Sequence, residues 1–249
     1  MESDSRGEHA AGWGFQTTHW SVVAVAGDGA LPGSRDAFGN LYQAYTKPLL
    51  AFLRARGGCG RLEPEDIVQG FFEALLAKNR LEGVDRHRGR FRNWLLTSLR
   101  HYLANERDKS NTLKRGGDTD HVSLQEEFED GQPKHTPASD GPTPEQAYDR
   151  EFALEFLRQV KACLREEFDM KGKRPLFERL EPFLIDRTEE TSQKETAEAL
   201  GMKPDAFHRA VHRMRLRHRT IFDRELRRLI GEEGDLEDEK LYLLNALAH

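Results

Sequence analysis

Apolar residues recur at helical spacing along most of the chain, and no alternating pattern indicates a β-strand. The clearest helix begins at Pro64, because its apolar residues fall on one face, at positions 67, 68, 71, 72, 75 and 76. Another helix begins at Phe91, and Trp94 is in phase with its apolar side and is therefore predicted to lie in the core. An upstream stripe, Phe38, Leu41, Tyr42 and Tyr45, is expected to be interrupted at Pro48. The pattern predicts an all-α protein.

Residues 193–218 have the spacing of a helix-turn-helix. Ala197 is small where two helices would cross, and Gly201 stands at the turn, where a positive φ is easily adopted by glycine. Pro204 suits the first position of the second helix, whose buried side is predicted to hold Phe207, Ala210, Val211 and Met214. Thr196 and Lys203 fit the motif less well, and a plain helical hairpin with a basic face is the alternative.

Composition divides the chain into two helical domains joined by a flexible acidic linker. The first is predicted at 15–115 and the second at 143–230, with the linker at 116–142 and an acidic extension with a short amphipathic helix at 231–249. The linker is rich in Gly, Pro, Ser and acids and has few apolar residues. Thr143, Pro144 and Gln146 then form a capping box that opens the second domain.

Charge is distributed unevenly, although the chain as a whole has a net charge of −5. Residues 86–115 contain nine Lys or Arg against two acids, and residues 206–228 contain eight Arg against two acids. Between them, residues 116–151 contain ten acids against two cations. Two basic patches separated by an acidic spacer predict two phosphate-facing surfaces, and ordinary solvated helix faces are the alternative.

Several function classes find no support in the sequence. The two cysteines, Cys59 and Cys163, are far apart, and the chain has no H-E-x-x-H, no C-x-x-C and no Gly-rich phosphate loop. Its histidines lack a carboxylate at ligand spacing, so no cofactor, metal or enzymatic activity is predicted, and a hydrolase or metalloenzyme is the rejected rival. The chain has no run of about 18 apolar residues, so membrane insertion is not predicted, and the N-terminus does not resemble a signal peptide. A cytoplasmic location is expected.

Four stretches together resemble a known family: FQTTHWSVV from Phe15, PEDIVQGFFEALL from Pro64, the basic segment from Gly89 to Gly117, and the helix-turn-helix. In this order they are similar to the ECF (extracytoplasmic function) sigma factors of bacterial RNA polymerase, over nearly the whole length. The resemblance implies a sigma region 2-like domain followed by a region 4-like domain. It implies a protein that binds core RNA polymerase and directs promoter-specific initiation. It also allows an anti-sigma factor or other regulator as a partner.

The resemblance assigns roles to three groups of residues. The polymerase-binding group is Asp66, Gln69 and Glu73. The group that recognises and opens the −10 element is Arg92, Asn93, Arg100, His101, Asn105, Arg107, Lys109, Lys114 and Arg115, with Tyr102 as a further stacking candidate. The group that reads promoter DNA at the −35 element is Lys203, Asp205, His208, Arg209, His212, Arg213 and Arg215.

One alternative function and one regulatory hypothesis stay open. A helix-turn-helix regulator that never touches polymerase would present the same DNA-binding motif, and its N-terminal domain would then serve dimerisation or sensing. The acids of residues 231–249 are hypothesised to cover the basic recognition face until promoter or polymerase binds.

Overall fold

The computed structural model describes residues 20–57, 62–78, 80–82, 84, 89–114, 141–184, 190–231 and 234–248. These residues form helices and their connections, with no β-strand among them, as the sequence predicts. The α-helices are α1 (Trp20–Gly27), α2 (Ser34–Arg56), α3 (Pro64–Ala77), α4 (Phe91–Lys114), α5 (Pro144–Met170), α6 (Arg174–Leu180), α7 (Glu190–Ala199), α8 (Pro204–Ile230) and α9 (Leu236–Ala248). A 3₁₀ turn, Glu181–Phe183, follows α6. None of these described helices has the length and apolar character needed to cross a membrane.

Helix α2 runs without a break through Pro48, so the predicted interruption at this proline is wrong. Proline lacks the N–H that would continue the helical hydrogen-bond ladder, which ordinarily kinks or breaks a helix. Here Pro48 is itself buried, and Tyr45, Leu49 and Leu53 beside it are fully buried. Packing on both sides of the proline therefore maintains the helix despite the missing hydrogen bond.

The two segments predicted as separate domains pack against each other in one continuous core. Helix α5 makes its most extensive contact with α2, where the rings of Tyr45 and Phe152 stack with centroids 5.9 Å apart. Lys47 adds an ion pair to Glu155 of α5 at 3.0 Å. A two-domain layout stays a prediction, and residues 116–140 of the expected linker lie outside the described residues.

The capping box that opens α5 is confirmed. The Thr143 hydroxyl accepts a hydrogen bond from the Gln146 backbone N–H at 3.2 Å, and the Thr143 N–H donates to the Gln146 side-chain oxygen at 2.8 Å. Pro144 occupies the first helical position. These reciprocal bonds satisfy two donors that a helix N-terminus otherwise leaves without partners. They fix where the second half of the core begins.

Close packing at the end of α1 makes Gly27→Ala an informative substitution. A Cβ atom at Gly27 would lie 2.8 Å from the backbone carbonyl carbon and oxygen of Leu81, and backbone cannot move aside cheaply. We expect a loss of about 1–3 kcal/mol in the free energy of unfolding, measured by urea denaturation. The matched control is Gly29→Ala, where no atom lies within 4 Å of the added Cβ. Equal stability of the two variants would contradict this account of the α1 contact.

Candidate nucleic-acid interface

The turn between α7 and α8 has the geometry that the sequence predicts. The Met202 N–H donates to the Ala197 carbonyl at 2.9 Å, and the Leu200 N–H donates to the Thr196 carbonyl at 3.1 Å. Gly201 lies between these bonds with φ +63°, a conformation that costs a glycine little. Helix α8 then starts at Pro204, which occupies its first helical position. A tight turn of this kind fixes the direction in which α8 leaves α7.

The buried side of this helix pair is also confirmed. Ala197 of α7 is buried, as are the predicted inward residues of α8, namely Phe207, Ala210, Val211 and Met214. The Phe207 ring packs edge-on against Phe183 of the 3₁₀ turn, with centroids 5.2 Å apart. Because these side chains hold one face of α8 against the protein, its opposite face is presented to solvent.

The first three turns of α8 and the residue before them present polar side chains to solvent, as predicted. The exposed set is Lys203, Asp205, His208, Arg209, His212 and Arg213. Arg209 and Arg213 are one helical turn apart and therefore project from the same side. Neither makes an ion pair with any residue that the structure describes. Two neighbouring cations that are not neutralised within the described residues form a suitable surface for phosphates or base edges.

Arg215 differs from the other predicted contact residues of α8. Its side chain is partly buried, and its Nε donates to the backbone carbonyl of Phe183 at 2.9 Å. The bond joins α8 to the 3₁₀ turn that precedes α7. Arg215 therefore has a structural role in fixing the helix-turn-helix, and its predicted exposure is only partial.

Three arginines in the second half of α8 pair with carboxylates of α5 or of α8 itself. Arg217 forms a bidentate pair with Glu167 of α5 at 2.6 and 2.7 Å, and this hydrogen bonding lowers the pKa of Glu167. Arg224 and Arg228 both pair with Glu225, whose side chain is almost completely buried. The basic patch counted from the sequence is therefore only partly available to a partner, since these three arginines of the second half are paired while Arg227 remains exposed.

The predicted −10 residues of α4 are mostly exposed. This holds for Asn93, Arg100, His101, Asn105, Arg107 and Lys109. Arg100 pairs with Glu145 and lies over the Phe52 ring at 5.6 Å, and Lys109 pairs with Glu106 at 2.7 Å, which raises the pKa of Lys109. Lys114 is the last residue of α4 and its side chain is outside the described set, as is all of Arg115.

Two aromatic side chains of α4, Trp94 and the stacking candidate Tyr102, pack largely against the protein itself. Trp94 is partly buried and stacks on Phe91 with ring centroids 5.5 Å apart, in agreement with its predicted core position. Tyr102 is also partly buried, with its ring 5.8 Å from that of Phe71. Burial raises the pKa of the Tyr102 hydroxyl above its ordinary value. The Tyr102 ring is therefore only partly open to solvent.

Arg92, which is predicted to contact the −10 element, is not exposed, so its predicted availability to DNA is wrong for this arrangement. Its side chain is only 5% exposed, and its guanidinium forms a bidentate contact with Glu239 of α9. The Tyr242 ring lies 3.7 Å from the guanidinium carbon, and the Phe152 ring lies 5.3 Å from it. Arg92 therefore belongs to a buried cluster that joins α4, α5 and α9.

The buried cluster is held by charges and hydrogen bonds together. Glu239 is 0% exposed and also pairs with Arg90 at 2.7 Å, so one carboxylate binds two guanidinium groups. Burial alone would lower the pKa of Arg92, but Tyr242 and Glu239 outweigh this effect and raise it, so the group stays charged. The Tyr242 hydroxyl donates to Asp149 at 2.6 Å. Burial raises the pKa of Asp149, an effect that this hydrogen bond opposes.

Sequence reasoning missed Glu239 and Tyr242, although a signal was present. Glu239, Leu243 and Ala246 follow one another at spacings of four and three residues, and all three are buried. A carboxylate in phase with the apolar face of an amphipathic helix indicates a buried ion-pair partner elsewhere. The acids of this segment were hypothesised to cover the recognition face of α8, whereas Glu239 binds the beginning of α4.

The predicted polymerase-binding residues form an exposed polar strip on α3. Asp66, Gln69 and Glu73 are all exposed, and the Gln69 side-chain amide donates to the Glu73 carboxylate at 2.9 Å. Leu76, which the sequence places on the apolar face, is instead 56% exposed near the end of this strip. The strip combines negative charge with an apolar residue, a composition that suits a basic, amphipathic partner helix.

Comparison with known proteins adds no family assignment. No protein-family model, curated protein or solved structure matches this chain. Within the described part of the chain, no three His, Cys, Asp or Glu side chains lie close enough together to hold a metal ion.

Proposed function

We propose that this protein is a sigma factor that binds core RNA polymerase and directs promoter-specific initiation. The observation that carries the proposal is the exposed first half of α8, where Arg209 and Arg213 project from a helix that follows a tight turn at Gly201. In a helix-turn-helix the second helix enters the major groove, and its first turns contact base edges and phosphates. This surface would read the −35 element as duplex DNA.

The polar strip on α3 supports the part of the proposal that concerns polymerase. Asp66, Gln69 and Glu73 are presented together by a helix whose other side, Ile67, Val68, Phe71, Phe72 and Leu75, is buried. A rigid helix that displays a short acidic strip provides both charge complementarity and a fixed orientation for a partner. A DNA-binding regulator that acts without polymerase would need this strip only if its N-terminal domain used it for dimerisation.

The exposed cations and amides of α4 support a role at the −10 element. Arg107 and Lys109 lie near Asn105 along the exposed part of this helix. Separated DNA strands need cations along their backbones and polar groups or rings at their exposed bases. This helix offers both kinds of group, and the partly open Tyr102 ring adds an aromatic edge.

The decisive experiment is run-off transcription with purified core polymerase and fragmented genomic DNA. We expect new initiation sites that depend on the protein, and co-purification of the protein with core polymerase. The variant Asp66→Lys is expected to lose most of this co-purification, because it reverses a charge within the α3 strip.

The matched control is Asp36→Lys, which reverses the charge of an exposed acid in the first turn of α2. This variant is expected to bind core polymerase as the unaltered protein does. DNA binding without any polymerase binding would reject the sigma-factor proposal in favour of the helix-turn-helix regulator.

A further inference from the structure

The last helix, α9, connects parts of the protein that lie far apart in sequence. Its Glu239 pairs with Arg90 and Arg92 at the start of α4. Its Tyr242 donates to Asp149 near the start of α5, and its Lys240 pairs with Asp223 of α8. Helix α9 therefore bridges the basic segment and the two helices that carry the second half of the core.

The chemistry of this bridge is that of an anion site. Two guanidinium groups, from Arg90 and Arg92, converge on the single carboxylate of Glu239. Arginine binds carboxylates and phosphates through the same planar set of donors, so a nucleic-acid phosphate would compete for these groups. While Glu239 is in place, Arg92 is buried and has no access to DNA.

The packing of α9 would allow this helix to dissociate from the rest of the core. Leu243 and Ala246 are buried, but Leu241 and Leu244 are 57% and 65% exposed, so part of the apolar surface of α9 gains nothing from the docked position. An open cleft lies between α5 and α9, lined by Asp149, Tyr242 and Asn245 among others. Segments with exposed apolar side chains and incomplete packing open at lower free-energy cost than the core does.

We propose that α9 is an internal strap in which Glu239 takes the place of a DNA phosphate on Arg90 and Arg92. The proposal rests on the proposed function, because it concerns the segment expected to open the −10 element. With the strap docked, Arg90 and Arg92 are bound to Glu239 and are not available to single-stranded DNA. With the strap released, these cations join the exposed groups of α4.

Binding to single-stranded DNA tests the strap in the full-length protein. The probe is a fluorescein-labelled, mixed-sequence 20-nucleotide strand, followed by anisotropy between 50 and 200 mM salt. Glu239→Gln keeps the shape of the side chain and removes its charge, and we expect roughly tenfold tighter binding. Release of two cations is also expected to steepen the slope of log K against log salt by about 1.4, since each phosphate contact contributes about 0.7.

Two control variants separate the strap from a general change in charge. Asp238→Asn removes the same charge from an exposed residue next to Glu239, and it is expected to stay within about twofold of the unaltered protein. Arg92→Gln in the Glu239→Gln background is expected to remove most of the gain. Equal affinities and slopes for Glu239→Gln and Asp238→Asn would overturn the proposal.

Hydrogen exchange on the unaltered protein tests release of the strap even if Glu239→Gln does not fold. Saturating single-stranded DNA is expected to increase amide exchange in residues 236–248. Unchanged or slower exchange there, on DNA binding, would overturn the strap. Exchange in α9 is read without polymerase, so failure of the strap is distinguishable from failure of the sigma-factor proposal, which polymerase co-purification reports.

Discussion

Replacement of both Arg209 and Arg213 by alanine is expected to weaken binding to duplex promoter DNA by roughly 100-fold. Each side chain is exposed and makes no ion pair within the described residues, so each is available to DNA. An arginine that contacts a base edge or phosphate contributes about 1–3 kcal/mol, and about 1.4 kcal/mol corresponds to tenfold in affinity. The measurement is anisotropy with a promoter fragment identified by run-off transcription.

The salt dependence of the DNA affinity distinguishes phosphate contacts of the two arginines from base contacts. If they hold phosphates, the double variant also loses about 1.8 from the slope of log K against log salt, and it weakens all sequences alike. If they contact bases, the loss is larger for the promoter than for a scrambled duplex. The double variant is not expected to change the unfolding midpoint, since exposed side chains without ion-pair partners contribute little to stability.

Arg227→Ala is the control, because Arg227 is an exposed arginine in the last turn of the same helix. It lies 14 residues after Arg213, or about 21 Å further along the axis. A DNA surface restricted to the start of α8 requires near-normal affinity for this variant. An equal loss from Arg227→Ala and from Arg213→Ala would argue against a recognition helix and for a diffuse basic surface.

Replacement of Glu239 by leucine is expected to cost about 3–5 kcal/mol of the free energy that docks α9. The substitution leaves the buried guanidinium of Arg92 without its carboxylate, and breaking one side of a buried ion pair carries a penalty of this size. Arg92→Met should cost less, because Glu239 keeps its pair with Arg90 at 2.7 Å. Urea denaturation together with hydrogen exchange in α9 measures both losses.

The double variant Arg92→Met and Glu239→Leu provides the sharper test. Apolar residues of similar size often replace a buried ion pair at little net cost. We therefore expect the double variant to regain most of the stability lost in Glu239→Leu, a strongly non-additive result. Additive losses would mean that the packing of Tyr242 and Phe152 around Arg92, rather than the charge pair, holds α9 in place.

The same buried pair is expected to make the docking position of α9 specific. A charge pair inside the protein contributes less net stability than apolar packing, but it strongly penalises any arrangement that separates its members. Glu239 thus specifies one docking position for α9 over Arg90 and Arg92. If a phosphate replaces the carboxylate, the penalty disappears, and this makes the contact reversible in the presence of nucleic acid.

Local features of the fold were predictable from the sequence because they depend on neighbouring residues. The capping box at Thr143, the helix start at Pro64 and the positive φ at Gly201 each follow from the chemistry of one to four consecutive residues. The all-α composition follows from the period of the apolar pattern. The exposed side of α8 follows from the same period, once its apolar residues are assigned to the core.

Tertiary structure decided which charged residues bind distant partners inside the protein. Arg92 is in helical phase with the buried Leu95 and Leu99, and Glu239, 147 residues away, supplies the counter-charge that this buried position requires. Arg215 likewise turns inward to the Phe183 carbonyl, 32 residues away. Helical periodicity specifies the face on which a residue lies, but not which distant segment covers that face.

The packing of α5 along α2 was equally beyond the sequence. Pro48 signals a break when read locally, but the buried residues around it are covered by the rest of the core, and the helix continues. The sequence by itself determined the helices, their caps and the turn at Gly201, since these depend on short-range hydrogen bonds and spacing. The tertiary structure decided how the helices share one core and which cations remain exposed, because both depend on contacts between residues far apart in the chain.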